Sequence, residues 1–266
     1  MNRSLIWLGA ALFLWGVGEG MFLLLQPIYL QQMGASPIEI GVILGAFGAA
    51  MTLTHIPAGH LSDRIGRRPL LILAWLIGVA ATLIMALAFN LTILVMGLLL
   101  YGLTAFVASP LDSYTTAARG NWSVGRAISF VSTAFNAGAV MGPILGGRIA
   151  DQYGFRTVFF ISAAIFVLSA VVVSFVSSQP REHRDPANPP TGLLRNRQFT
   201  GFMAVYFLVA FAAYVPQPLS PNFLKNEQRL SLSSIGELIS LAYLGTTILN
   251  LILGQLEART GFLLGQ

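Results

Sequence analysis

The chain has 266 residues, 55% of them apolar and 9% charged, with a mean hydropathy of +0.74; soluble domains carry roughly 25% charged residues, so a soluble fold is excluded. The net charge of +5 and pI near 10.0 come mostly from arginines lying between apolar segments, which fits membrane orientation and argues against nucleic-acid binding. There is no cysteine, hence no disulfide framework, thiolate nucleophile or thiolate zinc site.

Crossing about 30 Å of hydrocarbon takes about 20 mostly apolar residues, and such continuous runs must be helical because lipid satisfies no backbone hydrogen bonds. Eight spans are predicted, at about 5–30, 38–58, 70–89, 91–111, 127–149, 157–176, 199–218 and 235–256. Arg3 ahead of the first run resembles the start of a secretory signal, but the run contains Glu19, continues to Leu30 and has no small-residue cleavage site, so a retained first span is expected. With the N-terminus inside, Arg3, Arg64, Arg67, Arg68, Arg119, Arg126, Arg181, Arg184, Arg195, Arg197 and Arg259 fall on the cytoplasmic side. Arg148, Arg156, Lys225 and Arg229 then fall outside. That bias predicts a multi-pass protein of the cell (inner or plasma) membrane with both termini cytoplasmic.

The polar, Pro-rich stretch after the sixth run cannot be buried and reads as a linker. The expected domains are therefore a six-helix bundle at 1–178, a cytoplasmic linker at 179–198, and two helices at 199–266 that begin a second, incomplete bundle. Shifting the sequence by 195 positions supports a repeat: Ile40 and Gly41 fall on Ile235 and Gly236, Thr52 on Thr247, Gly59 on Gly254, Leu61 on Leu256, Arg64 on Arg259 and Gly66 on Gly261. Two six-span halves would make twelve spans, of which the last four are expected to be missing here or supplied by a partner chain.

Between the second and third spans stands Gly59-His60-Leu61-Ser62-Asp63-Arg64-Ile65-Gly66-Arg67-Arg68-Pro69. Gly59 removes a side chain where helices approach, Gly66 permits a tight turn, and Asp63 sits beside three arginines. A merely solvated basic loop explains the arginines but neither the glycines nor the acid. The segment resembles the signature G-x-L-x-D-R-x-G-R-R/K of the major facilitator superfamily, and the resemblance extends over the whole chain, through Arg119-Gly120 and Gly125-Arg126 before the fifth span. It implies an all-α membrane bundle in which Gly59, Asp63, Arg64, Gly66, Arg67 and Arg68 form a cytoplasmic gate, locking the two halves together by contacts that reach an eleventh span. The second copy has Ala258 where the first has Asp63, with Glu257 one residue off.

In the fifth span, Gly138, Gly142, Pro143, Gly146 and Gly147 are similar to the family's G-x-x-x-G-P-x-x-G-G element, frequent among drug/proton antiporters. Glycines four apart share a face and allow close packing, and Pro143 removes a backbone hydrogen bond, although small residues at this spacing occur in many membrane bundles. One departure bears on coupling. Many proton-coupled members carry an arginine four residues before a glycine in the fourth span, and here Leu98 precedes Gly102.

Glu19 is the leading candidate for the transport path, since a charge at mid-membrane costs about 2.5–3.5 kcal/mol on insertion scales and must face protein or water. Its other reading is a neutral acid hydrogen-bonded between helices. Helical spacing places Trp15, Glu19, Phe22, Gln26 and Tyr29 on one stripe, and Tyr101, Thr104, Ala108, Asp112, Thr115 and Arg119 on another; the family resemblance implies that spans one and four line a central cavity. Asp112 either serves that path or pairs with a loop arginine. Asn136 and Asn250 either line it or bridge helices, and His55 reads chiefly as a packing histidine.

No enzyme is expected. His55 and His60 are five apart with no metal-site glutamate between them, and no G-x-x-x-x-G-K phosphate loop occurs, so no metal, cofactor or ATP-driven step is predicted. The expected function is secondary transport of a small solute by alternating access, first as proton-coupled efflux of drug-like or amphiphilic compounds. The expected partners are the lipid bilayer, the solute and protons, with no nucleic acid. Two alternatives are carried: a sugar or metabolite importer of the same superfamily, and a truncated, non-transporting membrane protein or partner subunit.

Overall fold

The computed structural model describes residues 3–179, 196–214 and 217–264, apart from the side chains at 56, 57, 59, 60, 63, 250, 251 and 253–264. The gate positions Gly59 and Asp63, the pore candidate Asn250, the second motif copy and most of the expected linker therefore lie outside the described residues. All regular structure described is helical, and eight helical stretches are long and apolar enough to cross a membrane. The helices are α1 (Arg3–Gly20), α2 (Gln26–Gln32), α3 (Pro37–Ile65), α4 (Arg67–Leu87), α5 (Leu91–Leu103) and α6 (Ala108–Ala118). They are followed by α7 (Val124–Tyr153), α8 (Phe155–Ser174), α9 (Arg197–Tyr214), α10 (Ser220–Asn226) and α11 (Leu232–Leu264).

Helix ends follow their caps and outlast the apolar runs. Ser36 and Glu39 form a reciprocal capping box ahead of Pro37, and α3 then continues past the end predicted from hydropathy, as far as Ile65. The basic motif is consequently the end of α3, a single-residue pivot at Gly66 (φ 94°), and the start of α4, with hardly any loop. Asn90 and Ser123 cap α5 and α7 in the same local manner.

Two spans are broken. Span one changes from α1 to α2 through a 3₁₀ turn at Leu23–Leu25, and span four changes from α5 to α6 through Thr104–Val107. Each 3₁₀ residue turns about 20° further than an α residue, so four of them rotate the later half of span four by about 80°. A stripe drawn at uniform α spacing therefore cannot stay on one face of either span.

Helix α1 packs against α7 and α8, α4 against α5 and α8, and α11 against α7. The α1–α7 contact is backbone to backbone. A Cβ added at Gly142 would stand 2.6 Å from Gly20 Cα, and one at Gly138 or Gly146 would collide with the carbonyl oxygens of Phe13 or Met21. Across α4, α8 and α1, Trp75 Nε1 donates to Ser169 Oγ (2.7 Å), which donates to the Ala11 carbonyl (2.6 Å). This buried chain satisfies polar groups that lipid could not. Helix α9 buries no residue, and α3 exposes Val42 and Leu53, as surfaces meant for lipid or further helices do.

Spans seven and eight meet the first six at one end of the bundle, opposite the cluster Arg64, Arg67, Arg68 and Arg119. There Asn222 Nδ2 donates to Gln31 Oε1 (2.7 Å) and to the Pro27 carbonyl (3.1 Å), and Asn226 donates to the same Gln31 oxygen (3.0 Å). Asp151 accepts from the start of α11, and Arg148 lies 3.4 Å from Glu237. At the arginine-rich end, no hydrogen bond or ion pair joins the two groups of spans among the described residues.

Candidate functional site

Glu19 lies at the end of α1, next to Gly20, where span one begins to break. Its Oε2 accepts two hydrogen bonds, from Trp15 Nε1 one turn earlier on the same helix (2.8 Å) and from the Tyr101 hydroxyl on α5 (2.8 Å). Both donors are neutral, no cation among the described residues pairs with the carboxyl, and Oε1 accepts no hydrogen bond from them. Glu19 is half-buried. Tyr243, on α11 in the other group of spans, lies within electrostatic range of it.

An aromatic cluster fixes the two donors. The Trp15 ring stacks on Phe166 at 4.3 Å and tilts against Trp75 at 5.0 Å; Tyr101 lies parallel to Phe166 at 6.0 Å and takes the edge of Phe22 at 5.3 Å. Gly78 makes room for Trp15, since a Cβ there would collide with the indole. Held rings lose little freedom when they donate, so Oε2 is pinned while Oε1 is left for another partner. Such a carboxyl can hold a proton, accept a donor from a solute, or face a solute cation.

The remaining predicted positions are distributed more widely. Gln26 and Tyr29, past the break, are buried in the first-six-span core; Tyr29 stacks on Phe155 at 5.0 Å. A cavity of 10 Å³ lies between Gln26, Tyr29, Met85, Leu94, Leu98 and Phe159, and the buried Gln26 Nε2 has no partner among the described residues. Leu98, four residues before Gly102, lines this cavity. Thr104 is buried with its hydroxyl bonded to the Tyr101 carbonyl (2.7 Å). Asp112 is exposed and Asn136 half-buried, and neither makes a side-chain hydrogen bond or ion pair among the described residues. The structure thus brings together Glu19 and Tyr101, and places Gln26 and Tyr29 beyond the break, Asp112 and Asn136 apart.

Of the gate residues, Arg67 Nη1 donates to Gln179 Oε1 (3.2 Å) and Arg68 Nη2 to the Ser174 carbonyl (2.9 Å), while Arg64 is exposed. Gln179 Nε2 in turn donates to the Tyr114 carbonyl (3.0 Å) and the Tyr114 hydroxyl to the Ser177 carbonyl (2.7 Å), so the chain leaving span six is tied down on the arginines. Of the span-five motif, Gly138, Gly142 and Gly146 face α1, whereas Gly147 and Pro143 face α11: a Cβ at Gly147 would strike the Leu232 carbonyl, and one at Gly236 the Pro143 carbonyl. Sequence reasoning missed Trp75, Phe166, Gln31, Asp151 and Asn222. Only Asp151 carried a signal, as an acid at the end of the glycine-rich face.

Two helical groups joined at one end, with a pinned carboxyl in the first span and a glycine face in the fifth, agree with the comparison with known families. The model of the Major Facilitator Superfamily matches residues 6–264. The chain belongs to that superfamily. It is 31% identical over 188 residues to the multidrug resistance protein MdtG of Proteus mirabilis, covering 67% of this chain and 45% of that one. It is 26% identical over 265 residues to the class E tetracycline resistance protein of Escherichia coli, covering 93% and 64%. The matched stretches thus span about half to two thirds of these superfamily relatives. Among solved folds it superposes on a bacterial homolog of the human lysosomal transporter Spinster with a TM-score of 0.69 at 20% identity, over 91% of this chain and 60% of that one.

Proposed function

We propose that this superfamily member is part of a secondary transporter that exports drug-like or amphiphilic solutes in exchange for protons, with Glu19 as the group that binds proton or solute. The observation carrying this reading is the Glu19 carboxyl itself: half-buried in a membrane span, held on one oxygen by Trp15 and Tyr101, and accepting no hydrogen bond on the other from the described residues. An ionisable group so placed is costly to keep, and acids retained in membrane spans mark solute or proton paths. The multidrug and tetracycline resistance relatives support efflux and a drug-like solute.

On this reading residues 1–178 form one rocking unit, 179–198 the connector, and 199–266 the beginning of the second unit. The arginine-rich end faces the cytoplasm, as the positive-inside bias favours. Among the described residues the hydrogen bonds and the ion pair between the two units lie at the opposite end, which favours a state open to the cytoplasm and shut to the outside. The transported solute would then reach Glu19 along the seam that Tyr243 borders.

The test is accumulation of tetracycline or ethidium in inside-out membrane vesicles from cells producing the protein, with and without an imposed pH gradient. Gradient-driven accumulation that Glu19→Gln abolishes is expected. Accumulation that ignores the gradient, or that Glu19→Gln leaves unchanged, sinks the coupling role.

A further inference from the structure

The contact between Asp151 and the start of α11 is more specific than packing requires. Asp151 is the third-last residue of α7, one turn beyond Gly147 and two beyond Pro143, on the face that meets α11. Its Oδ1 accepts from the Leu232 amide (3.0 Å), and its Oδ2 accepts from the Ser233 amide (2.7 Å) and the Ser233 hydroxyl (2.6 Å). The first amides of a helix have no partner within the helix. Helix α11 has a local cap, Ser231, whose Oγ takes the Ser234 amide (3.0 Å) and leaves those of Leu232 and Ser233 unserved. A carboxylate 81 and 82 residues away in sequence accepts from both, at the helix end where the backbone dipole favours negative charge.

We propose that Asp151 is a conformational latch: its bonds to Leu232 and Ser233 exist only while this end of the bundle is shut, and they set how much of the population stays shut. The glycine contacts, Gly147 on Leu232 and Gly236 on Pro143, permit close approach but are indifferent to small sliding. The three bonds to Asp151 are directional and vanish together when the two groups of spans separate. The neighbouring Arg148–Glu237 pair is exposed on both sides and adds little. The latch concerns which state is populated, and rests on the alternating-access reading only for the existence of a second state.

These 266 residues contain no cysteine, so once any cysteine outside them is replaced by serine a single introduced thiol reports without background. Ser240 is buried one turn beyond Gly236 on α11, and Ser240→Cys replaces a hydroxyl by a thiol of similar size. In right-side-out vesicles carrying the full-length protein, a membrane-impermeant maleimide should label Ser240→Cys slowly. Adding Asp151→Ala should raise that rate about tenfold, the scale of losing a helix cap, with no increase in inside-out vesicles. Asp151→Asn and Ser233→Ala should give smaller increases in the same direction, and they carry the test if the alanine variant fails to fold. Labelling at the parent rate in right-side-out vesicles for every variant that folds overturns the latch. Because labelling requires no transported solute, that failure is distinct from failure of the efflux reading.

Discussion

The contact between α1 and α7 makes Gly142 a position where a single methyl should be felt. A Cβ there would stand 2.6 Å from Gly20 Cα, 2.6 Å from the Val17 carbonyl oxygen and 2.7 Å from the Gly20 carbonyl carbon, all backbone atoms that cannot swing aside. Ordinary contact needs about 3.5–4.0 Å, so the two helices must part by about 1 Å and lose dispersion along their seam. Overpacking of this kind costs about 1–3 kcal/mol, against which alanine returns about 0.8–1 kcal/mol of helix propensity. Three backbone contacts under 3 Å put the overpacking cost at about 2–3 kcal/mol, so Gly142→Ala should destabilise by about 1–2 kcal/mol, read as the midpoint of unfolding when purified protein in mixed micelles is titrated with sodium dodecyl sulfate. Gly125→Ala is the control, on the same helix with nothing within 4 Å of the added carbon, and should be neutral or stabilising by up to about 1 kcal/mol. If Gly142→Ala matches the parent protein, or Gly125→Ala loses as much, the backbone-contact account of the α1–α7 seam fails.

Tyr101→Phe keeps the aromatic packing and removes one of the two donors to Glu19. Removing a hydrogen bond to a charged group costs about 1.5–3 kcal/mol, so the rate of gradient-driven dye accumulation should fall at least about tenfold; an unchanged rate would mean that the bond does not matter to the working state. Gln26→Leu removes a buried amide nitrogen that has no described partner and fills space beside a 10 Å³ cavity. It should leave the unfolding midpoint unchanged or raise it by up to about 1 kcal/mol, whereas a loss above that size would mean that a water or another group satisfies the amide.

The spans were legible because an apolar run of about 20 residues allows few structures in lipid. The breaks within spans one and four were not. Leu23–Leu25 and Thr104–Val107 themselves carry no residue that excludes an α-helix, but Pro27 and Pro110 follow them and lack the amides that would bond the Leu23 and Phe106 carbonyls. With each break the uniform stripe that placed Gln26 alongside Glu19, or Asp112 alongside Tyr101, comes apart. The span-five glycines announced close packing, yet their spacing cannot say that Gly142 meets Gly20 while Gly147 meets Leu232. The partners of Glu19 show the same division: Trp15 follows from the one-turn spacing, whereas Tyr101 is 82 residues away and needed the fold. Asp151 lies just beyond the predicted end of the fifth span, and its partners Leu232 and Ser233, 81 and 82 residues on, needed the fold.

The most direct measurement of the central claim is chemical. Dicyclohexylcarbodiimide partitions into membranes and reacts with protonated carboxyls there, and mass spectrometry of digested protein from native membranes reports which acid is modified. The account predicts modification at Glu19, slowed by prior addition of ethidium or tetracycline at concentrations that the vesicles accumulate. Glu19 left unmodified while other acids react, or modified at the same rate with a transported solute present, would contradict it.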